Sequence, residues 1–79
     1  MAFDGTILRE LREAAGYDSP ARFASHVQMA QGVYLTGATI ANLETGRQSD
    51  AYGSTLVAIA AALNVPVGRF YREPVANGA

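Results

Sequence analysis

The chain has no cysteine, no lysine and only one histidine, and these absences exclude several kinds of site. Without cysteine there can be no disulfide bond, no thiolate nucleophile and no zinc site of the cysteine type. The lone His26 cannot build a cluster of histidines around a metal ion. We therefore expect no metal site and no cofactor, and we expect packing alone to stabilise the fold.

Long apolar runs are also missing. No run approaches the roughly 18 residues that a membrane-spanning helix requires. The first residues, MAFD, lack the basic and apolar regions of a secretion signal. We expect a cytoplasmic protein that makes no contact with a membrane.

Cationic charge is scarce as well. Six arginines stand against seven acidic residues, which gives a formal net charge of −1 and an isoelectric point near 5.6. A domain that binds nucleic acid is usually strongly basic. Any basic patch on this chain must therefore be local.

What the chain does contain is apolar residues at helical spacing almost throughout. A first helix is predicted to end at Gly16, where glycine can adopt the left-handed conformation. A second helix is predicted to begin at Ser19, followed by a proline at the first helical position, and to end at Gly32. Thr36 can cap a third helix that ends at Gly46.

Two further helices follow. Residues 47–53 are turn formers and are predicted as a loop. Ser54 can cap a fourth helix that stops at Asn64, and Pro66 can open a short fifth helix. The tail over residues 74–79 is expected to fray.

The predicted fold is a compact all-α domain of five helices, because no stretch alternates with period two for long enough to form a strand. With 79 residues, of which 49% are apolar, the chain suits one domain over residues 1–79, ordered over about residues 4–73. The predicted core consists of Ile7, Leu11, Phe23, Val27, Ile40, Leu43, Leu56, Ile59, Leu63 and Phe70.

Four separated pieces of the chain carry a resemblance to a known family. They are LRELREAAG at residues 8–16, SPARFA at 19–24, TIANLETGR at 39–47 and LVAIAAALNV at 56–65. In this order they are similar to the first four helices of the helix-turn-helix domain of the Cro and phage-repressor (XRE-type) regulators. Most of the chain thus resembles that domain, which implies a lambda-repressor-like fold.

The chain departs from the family in the connection between the second and third helices. The stretch before Ile40 is about six residues longer than the short turn of that family. If Gly32 ends the second helix, about four of these residues, 28–31, add one helical turn, and about two more lie at Tyr34 and Leu35. This longer connection affects the angle at which the third helix would meet DNA.

The resemblance implies that the third helix, about residues 36–45, lies in the major groove of DNA while flanking residues hold phosphates. Asn42 is the one side chain of its outer face that can pair bidentately with adenine. The implied base contacts are Gly37, Ala38, Ala41 and Asn42. The implied phosphate contacts are Ser19, Arg22, Thr36, Thr39, Arg47 and Gln48.

Other roles are open for several of these residues. The small residues of the third helix could pack against another helix or subunit, and Asn42 and Arg47 could simply be solvated. Members of the family often pair an arginine of the first helix with the glutamate before the loop glycine. Arg12 and Glu44 occupy those positions, so the resemblance implies a structural ion pair. Expected in the core or in a dimer contact are Met29, Tyr52, Phe70 and Tyr71.

The sequence therefore predicts a repressor-like, sequence-specific regulator of transcription that binds double-stranded DNA as a homodimer and lies at the nucleoid when bound. The alternative is a protein-interaction or antitoxin-like adaptor module on the same scaffold, with weak or no DNA binding. The low isoelectric point and the small side chains of the third helix favour that alternative. We do not expect an enzyme, because no nucleophile-base pair, metal set or phosphate loop is recognisable.

Overall fold

Four α-helices make up most of the part of the chain that the structure describes. The computed structural model describes residues 2–48 and 53–72. The elements are β1 (Ala2–Phe3), α1 (Gly5–Ala14), α2 (Pro20–Gln31), α3 (Gly37–Thr45), α4 (Gly53–Leu63), a 3-10 helix (Val67–Phe70) and β2 (Tyr71–Arg72). The prediction of a mostly helical, all-α fold is confirmed.

Side-chain oxygens cap the first turns of the first three helices. Asp4 caps α1. At the start of α2 the hydroxyl of Ser19 accepts the backbone N–H of Arg22 at 3.2 Å, and at the start of α3 the hydroxyl of Thr36 accepts that of Thr39 at 3.3 Å. The predicted helix starts at Ser19 and Thr36 are therefore confirmed, because each hydroxyl satisfies an N–H group that the helix itself leaves without a partner.

Residues with positive φ end the second, third and fourth helices. Gly32 has φ 69° and Gly46 has φ 80°, which a side chain would strain. Asn64, with φ 58°, ends α4 in the same region, where asparagine is tolerated better than most residues. These three predicted stops are confirmed.

The prediction of a fifth α-helix after Pro66 is wrong. The chain makes one 3-10 turn and is then extended at Tyr71, with φ −103° and ψ 137°. Tyr71 pairs with Phe3 in an antiparallel two-stranded sheet, and the backbone N–H of Asp4 donates to the carbonyl oxygen of Phe70 at 2.7 Å. These bonds engage backbone groups that a longer helix would need. Two-residue strands are too short to leave a period-two signal, so the sequence did not predict them.

The predicted start of the fourth helix is also shifted. Helix α4 begins at Gly53, so Ser54 lies inside its first turn and not at the cap. Most of the predicted loop before it, residues 49–52 with Tyr52, lies outside the described residues, as does the tail over residues 74–79.

The core forms where α2 packs against both α3 and α4 while α1 packs against α3. Leu11 and Leu63, predicted as core residues, are only half-buried at its edge. Leu35, from the connection between α2 and α3, is buried although the helical pattern did not include it. The side chains with the least exposure are Leu8, Phe23, Val27, Ile40, Leu43, Ile59 and Phe70.

Met29 and Phe70, both expected in the core or in a dimer contact, differ in exposure. Met29 is 88% exposed, so of the two places expected for it the core is excluded and a dimer contact stays a prediction. Phe70 is fully buried, so of its two expected places it takes the core. No helix within residues 2–48 and 53–72 is long and apolar enough to cross a membrane.

Candidate nucleic-acid interface

The first turns of α2 and α3 lie side by side. A Cβ atom added to Gly37 would be 2.8 Å from the Cα of Ala21, so the backbones of the two helices touch at these residues. Ser19 and Thr36 cap the two helices next to this contact. Both positive dipole ends, with their N–H groups that have no partner within the helix, therefore meet at one edge of the molecule.

The outer face of α3 carries small and uncharged side chains. Ala38 is exposed, whereas Gly37, Ala41 and Asn42 are half-buried. The opposite face is buried through Ile40, Leu43 and Glu44. Three of the four residues implied as base contacts, Ala38, Ala41 and Asn42, are thus on the accessible side of α3, whereas the Cβ position of Gly37 is filled by the backbone of Ala21. Asn42 brings the only side-chain amide among the four.

Two threonines stand at the beginning of this face. The hydroxyl groups of Thr36 and Thr39 are 3.2 Å apart, and both residues are half-buried. The Thr36 hydroxyl accepts the N–H of Thr39 and so holds the start of α3. The two hydroxyls also share one hydrogen bond in which either can donate, so one O–H of the pair remains to donate outward.

The segment after α3 folds back on the helix. The backbone N–H of Gln48 donates to the carbonyl oxygen of Asn42 at 3.0 Å, and the Thr45 hydroxyl donates to that of Ala41 at 2.8 Å. Arg47, between the turn glycine and Gln48, is exposed. This arrangement places one cation at the C-terminal end of α3, opposite the capped end.

Charge near the start of α2 is partly balanced. Arg22 is exposed, and its Nε lies 3.4 Å from a carboxylate oxygen of Asp18, whose side chain is 77% exposed. An exposed pair of this kind is weak and screened by salt. Arg22 can therefore exchange Asp18 for another anion, although the aspartate lowers the positive potential at this edge.

A buried ion pair fixes α3 against α1. Arg12 Nε is 2.6 Å from Glu44 Oε2 and Arg12 Nη2 is 3.1 Å from Glu44 Oε1, with both side chains about 5% exposed. Arg12 Nη1 also donates to the carbonyl oxygen of Tyr17 at 2.7 Å. The hydrogen bonds to Glu44 raise the pKa of Arg12. The pairing of Arg12 with Glu44 that the resemblance implied is present.

Helix α1 also approaches α3 at its own first residue. A Cβ atom at Gly5 would overlap the carbonyl oxygen of Leu43 and would lie 2.8 Å from the Cα of Glu44. No side chain fits there, so the backbones touch. Together with the Arg12–Glu44 pair, this contact leaves α3 little freedom to tilt.

Some features that hold the site were not evident in the sequence. The Gly37–Ala21 contact joins residues whose proximity depends on the crossing of two helices, and no spacing rule predicts it. Tyr17 stacks on the half-buried His26 with ring centroids 4.9 Å apart, at the corner between α1 and α2. In the described ranges, 2–48 and 53–72, no cluster of His, Asp or Glu side chains could hold a metal ion.

Comparison with known proteins adds no family assignment. No protein-family model, no curated protein and no solved structure matches the chain. The geometry of the site's residues and the sequence resemblance are therefore the grounds for assigning it a function.

Proposed function

We propose that this protein is a sequence-specific DNA-binding regulator of transcription in which α2 and α3 form a helix-turn-helix unit and α3 enters the major groove. The observation that carries this proposal is the contact between Gly37 and Ala21, which brings the N-terminal ends of both helices to one exposed edge. Helix N-termini favour anions such as DNA phosphates because their N–H groups and dipoles point outward.

The size of an α-helix suits the major groove, because its diameter with side chains is about 10 to 12 Å and the groove is roughly 12 Å wide. The nine residues of α3 extend over about 13.5 Å at a rise of 1.5 Å per residue. Ser19, Arg22 and Thr36 would contact the phosphates of one strand at the start of the helix. Arg47 and Gln48 would contact the other strand at its end.

Base recognition would come from the outer face of α3. Asn42 can donate to and accept from adenine, and the methyl groups of Ala38 and Ala41 can contact the methyl group of thymine. Such a face reads few base pairs, so a homodimer on two half-sites about 34 Å apart would supply the specificity. The dimer contact cannot include the buried Phe70.

A salt titration tests the proposal. Duplexes are first selected from a randomised library, and their affinity for the protein is then measured at increasing salt. If each subunit neutralises about two to four phosphates, the logarithm of the binding constant should fall by about 0.9 per phosphate for each tenfold rise in salt. Arg47→Ala should reduce this slope by about one for each subunit bound.

Arg9→Ala is the matched control, because Arg9 is an exposed arginine on α1 and lies outside the proposed interface. It should leave affinity and salt slope close to wild type. If Arg9→Ala and Arg47→Ala have equal effects, Arg47 acts only through net charge and the proposed orientation on DNA is wrong.

A protein-interaction or antitoxin-like adaptor module is the second candidate. It is favoured by three large apolar side chains at the surface of the described residues, Met29 at 88%, Tyr34 at 83% and Val57 at 58% exposure. The small number of cationic residues points in the same direction. Absence of salt-dependent binding to any duplex would replace the first proposal by this one.

A further inference from the structure

The connection between α2 and α3 presents an exposed aromatic residue between two residues that face the core. Leu35 is 2% exposed, and Val33 packs against the core cluster from its edge. Tyr34, between them, is 83% exposed. Because both neighbours face the core, Tyr34 faces away from it.

Hydrogen bonds fix the backbone on both sides of Tyr34. The side-chain amide of Gln28 donates to the carbonyl oxygen of Leu35. The backbone N–H of Gly32 donates to the carbonyl oxygen of Gln28 at 2.9 Å, and the hydroxyl of Thr36 caps α3. The backbone at Tyr34 is therefore held at a defined place on the surface.

That place is next to the start of α3. Tyr34 is two residues before Thr36, and a chain extends by at most about 3.6 Å per residue, so the two Cα atoms are no more than about 7 Å apart. The same end of α3 touches the start of α2 at Ala21. Tyr34 thus lies beside the cluster of N–H groups and hydroxyls that we assign to DNA phosphates.

The chemistry of tyrosine suits a nucleic acid at this position. Its O–H can donate to a phosphate oxygen, and its ring can pack on a sugar or base. A tyrosine side chain has few rotatable bonds and so loses little entropy when it is held in a contact. It also adds affinity without positive charge, which this chain has in small supply.

We propose that Tyr34 is a DNA contact contributed by the longer connection, with its hydroxyl donating to a backbone phosphate beside the major groove. The inference rests on the proposed function, since it requires the start of α3 to face DNA. Met29 is equally exposed but lies near the C-terminal end of α2, away from Ser19, and has no hydrogen-bond donor. It is outside the proposed contact.

A tryptophan reporter tests the contact directly, because the chain contains no tryptophan. Tyr34→Trp and the matched control Met29→Trp are each titrated with the duplex selected by the wild-type protein, and indole emission is followed. Tyr34→Phe and Tyr34→Ala are measured for affinity, and circular dichroism checks that each variant is folded. We expect the emission of Tyr34→Trp to change at saturation and that of Met29→Trp to stay constant.

Tyr34→Phe should weaken binding about 10- to 150-fold, the range for one lost hydrogen bond to a charged group, and Tyr34→Ala should weaken it further. If wild type binds the duplex but Tyr34→Phe and Tyr34→Ala bind it equally well and the emission of Tyr34→Trp does not change, the Tyr34 contact is refuted while the proposed function stands. If these variants instead impair self-association in sedimentation, Tyr34 contacts protein and the DNA contact is refuted. If wild type binds no duplex, both proposals fail.

Discussion

The Arg12–Glu44 pair gives the sharpest test of how the fold holds α3. Replacing Arg12 by Met removes two hydrogen bonds to the Glu44 carboxylate and one to the Tyr17 carbonyl, while keeping most of the side-chain volume. The Glu44 carboxylate then remains buried, with its side chain only 5% exposed and no opposite charge beside it. The perturbation is therefore an uncompensated buried charge and not merely a lost contact.

The expected cost is large for so small a domain. Removing one member of a buried ion pair costs about 3 to 5 kcal/mol. A protein of 79 residues has a total free energy of unfolding of about 4 to 12 kcal/mol at 0.05 to 0.15 kcal/mol per residue. Arg12→Met should therefore lower the free energy of unfolding by a large part of its total. Glu44→Gln should lower it somewhat less, because the amide can still accept one hydrogen bond.

Urea unfolding followed by circular dichroism measures the effect in wild type, in Arg12→Met, in Glu44→Leu and in the double variant. The double variant should be more stable than the sum of the single losses predicts, with a coupling of at least about 1 kcal/mol, since it leaves no buried charge alone. Additive losses would refute the reasoning. They would mean that water or a neighbouring group satisfies each charge after its partner is removed.

Three further predictions concern other contacts. Leu43→Ala, at a fully buried position, should lower the free energy of unfolding by about 2 to 5 kcal/mol, and a loss below about 0.5 kcal/mol in urea unfolding would contradict its place in the core. Gly37→Ala should force α3 away from α2, because the new Cβ would lie 2.8 Å from the Cα of Ala21. The variant should lose both stability and DNA affinity, and an unchanged melting temperature would refute the close contact. The backbone N–H of Thr6 lowers the pKa of Asp4 most, and Arg72 lowers it further, against the opposing effect of desolvation. Ionised Asp4 therefore stabilises the fold above the ordinary aspartate pKa. This stabilisation disappears as the pH falls through the lowered pKa. Asp4→Asn should flatten this acidic limb of the stability curve, and an unchanged limb would show that Asp4 does not contribute.

The sequence predicted the helical elements well because their signals are local. Ser19 and Thr36 cap helices through hydroxyl groups, and Gly32 and Gly46 end them at positive φ, so a few neighbouring residues determine each boundary. The burial of Phe23, Ile40, Leu43 and Ile59 followed from helical spacing in the same way.

The parts that were missed depend on distant residues. The extended backbone at Tyr71 exists because Phe3, at the other end of the chain, pairs with it. Leu35 is buried because the longer connection returns to the core, and a helical pattern says nothing about a residue outside a helix. The candidate site was predicted as base contacts on α3 and phosphate contacts at the start of α2, on α3 and after α3. The edge that brings the starts of α2 and α3 together is created by the crossing of the two helices at Gly37, which only the folded chain defines.

We propose that the outer face of α3 reads DNA bases, and the affinity of Asn42→Ala for selected and random duplexes at physiological salt tests this most directly. Gln31→Ala, an exposed amide at the end of α2, is the matched control. We predict that wild type prefers the selected duplex by about 10³-fold, and that Asn42→Ala loses about 1 to 3 kcal/mol on that duplex while its affinity for random DNA stays the same. Equal affinity of wild type for selected and random duplexes, or an Asn42→Ala variant that binds the selected duplex as tightly as wild type does, would contradict the account.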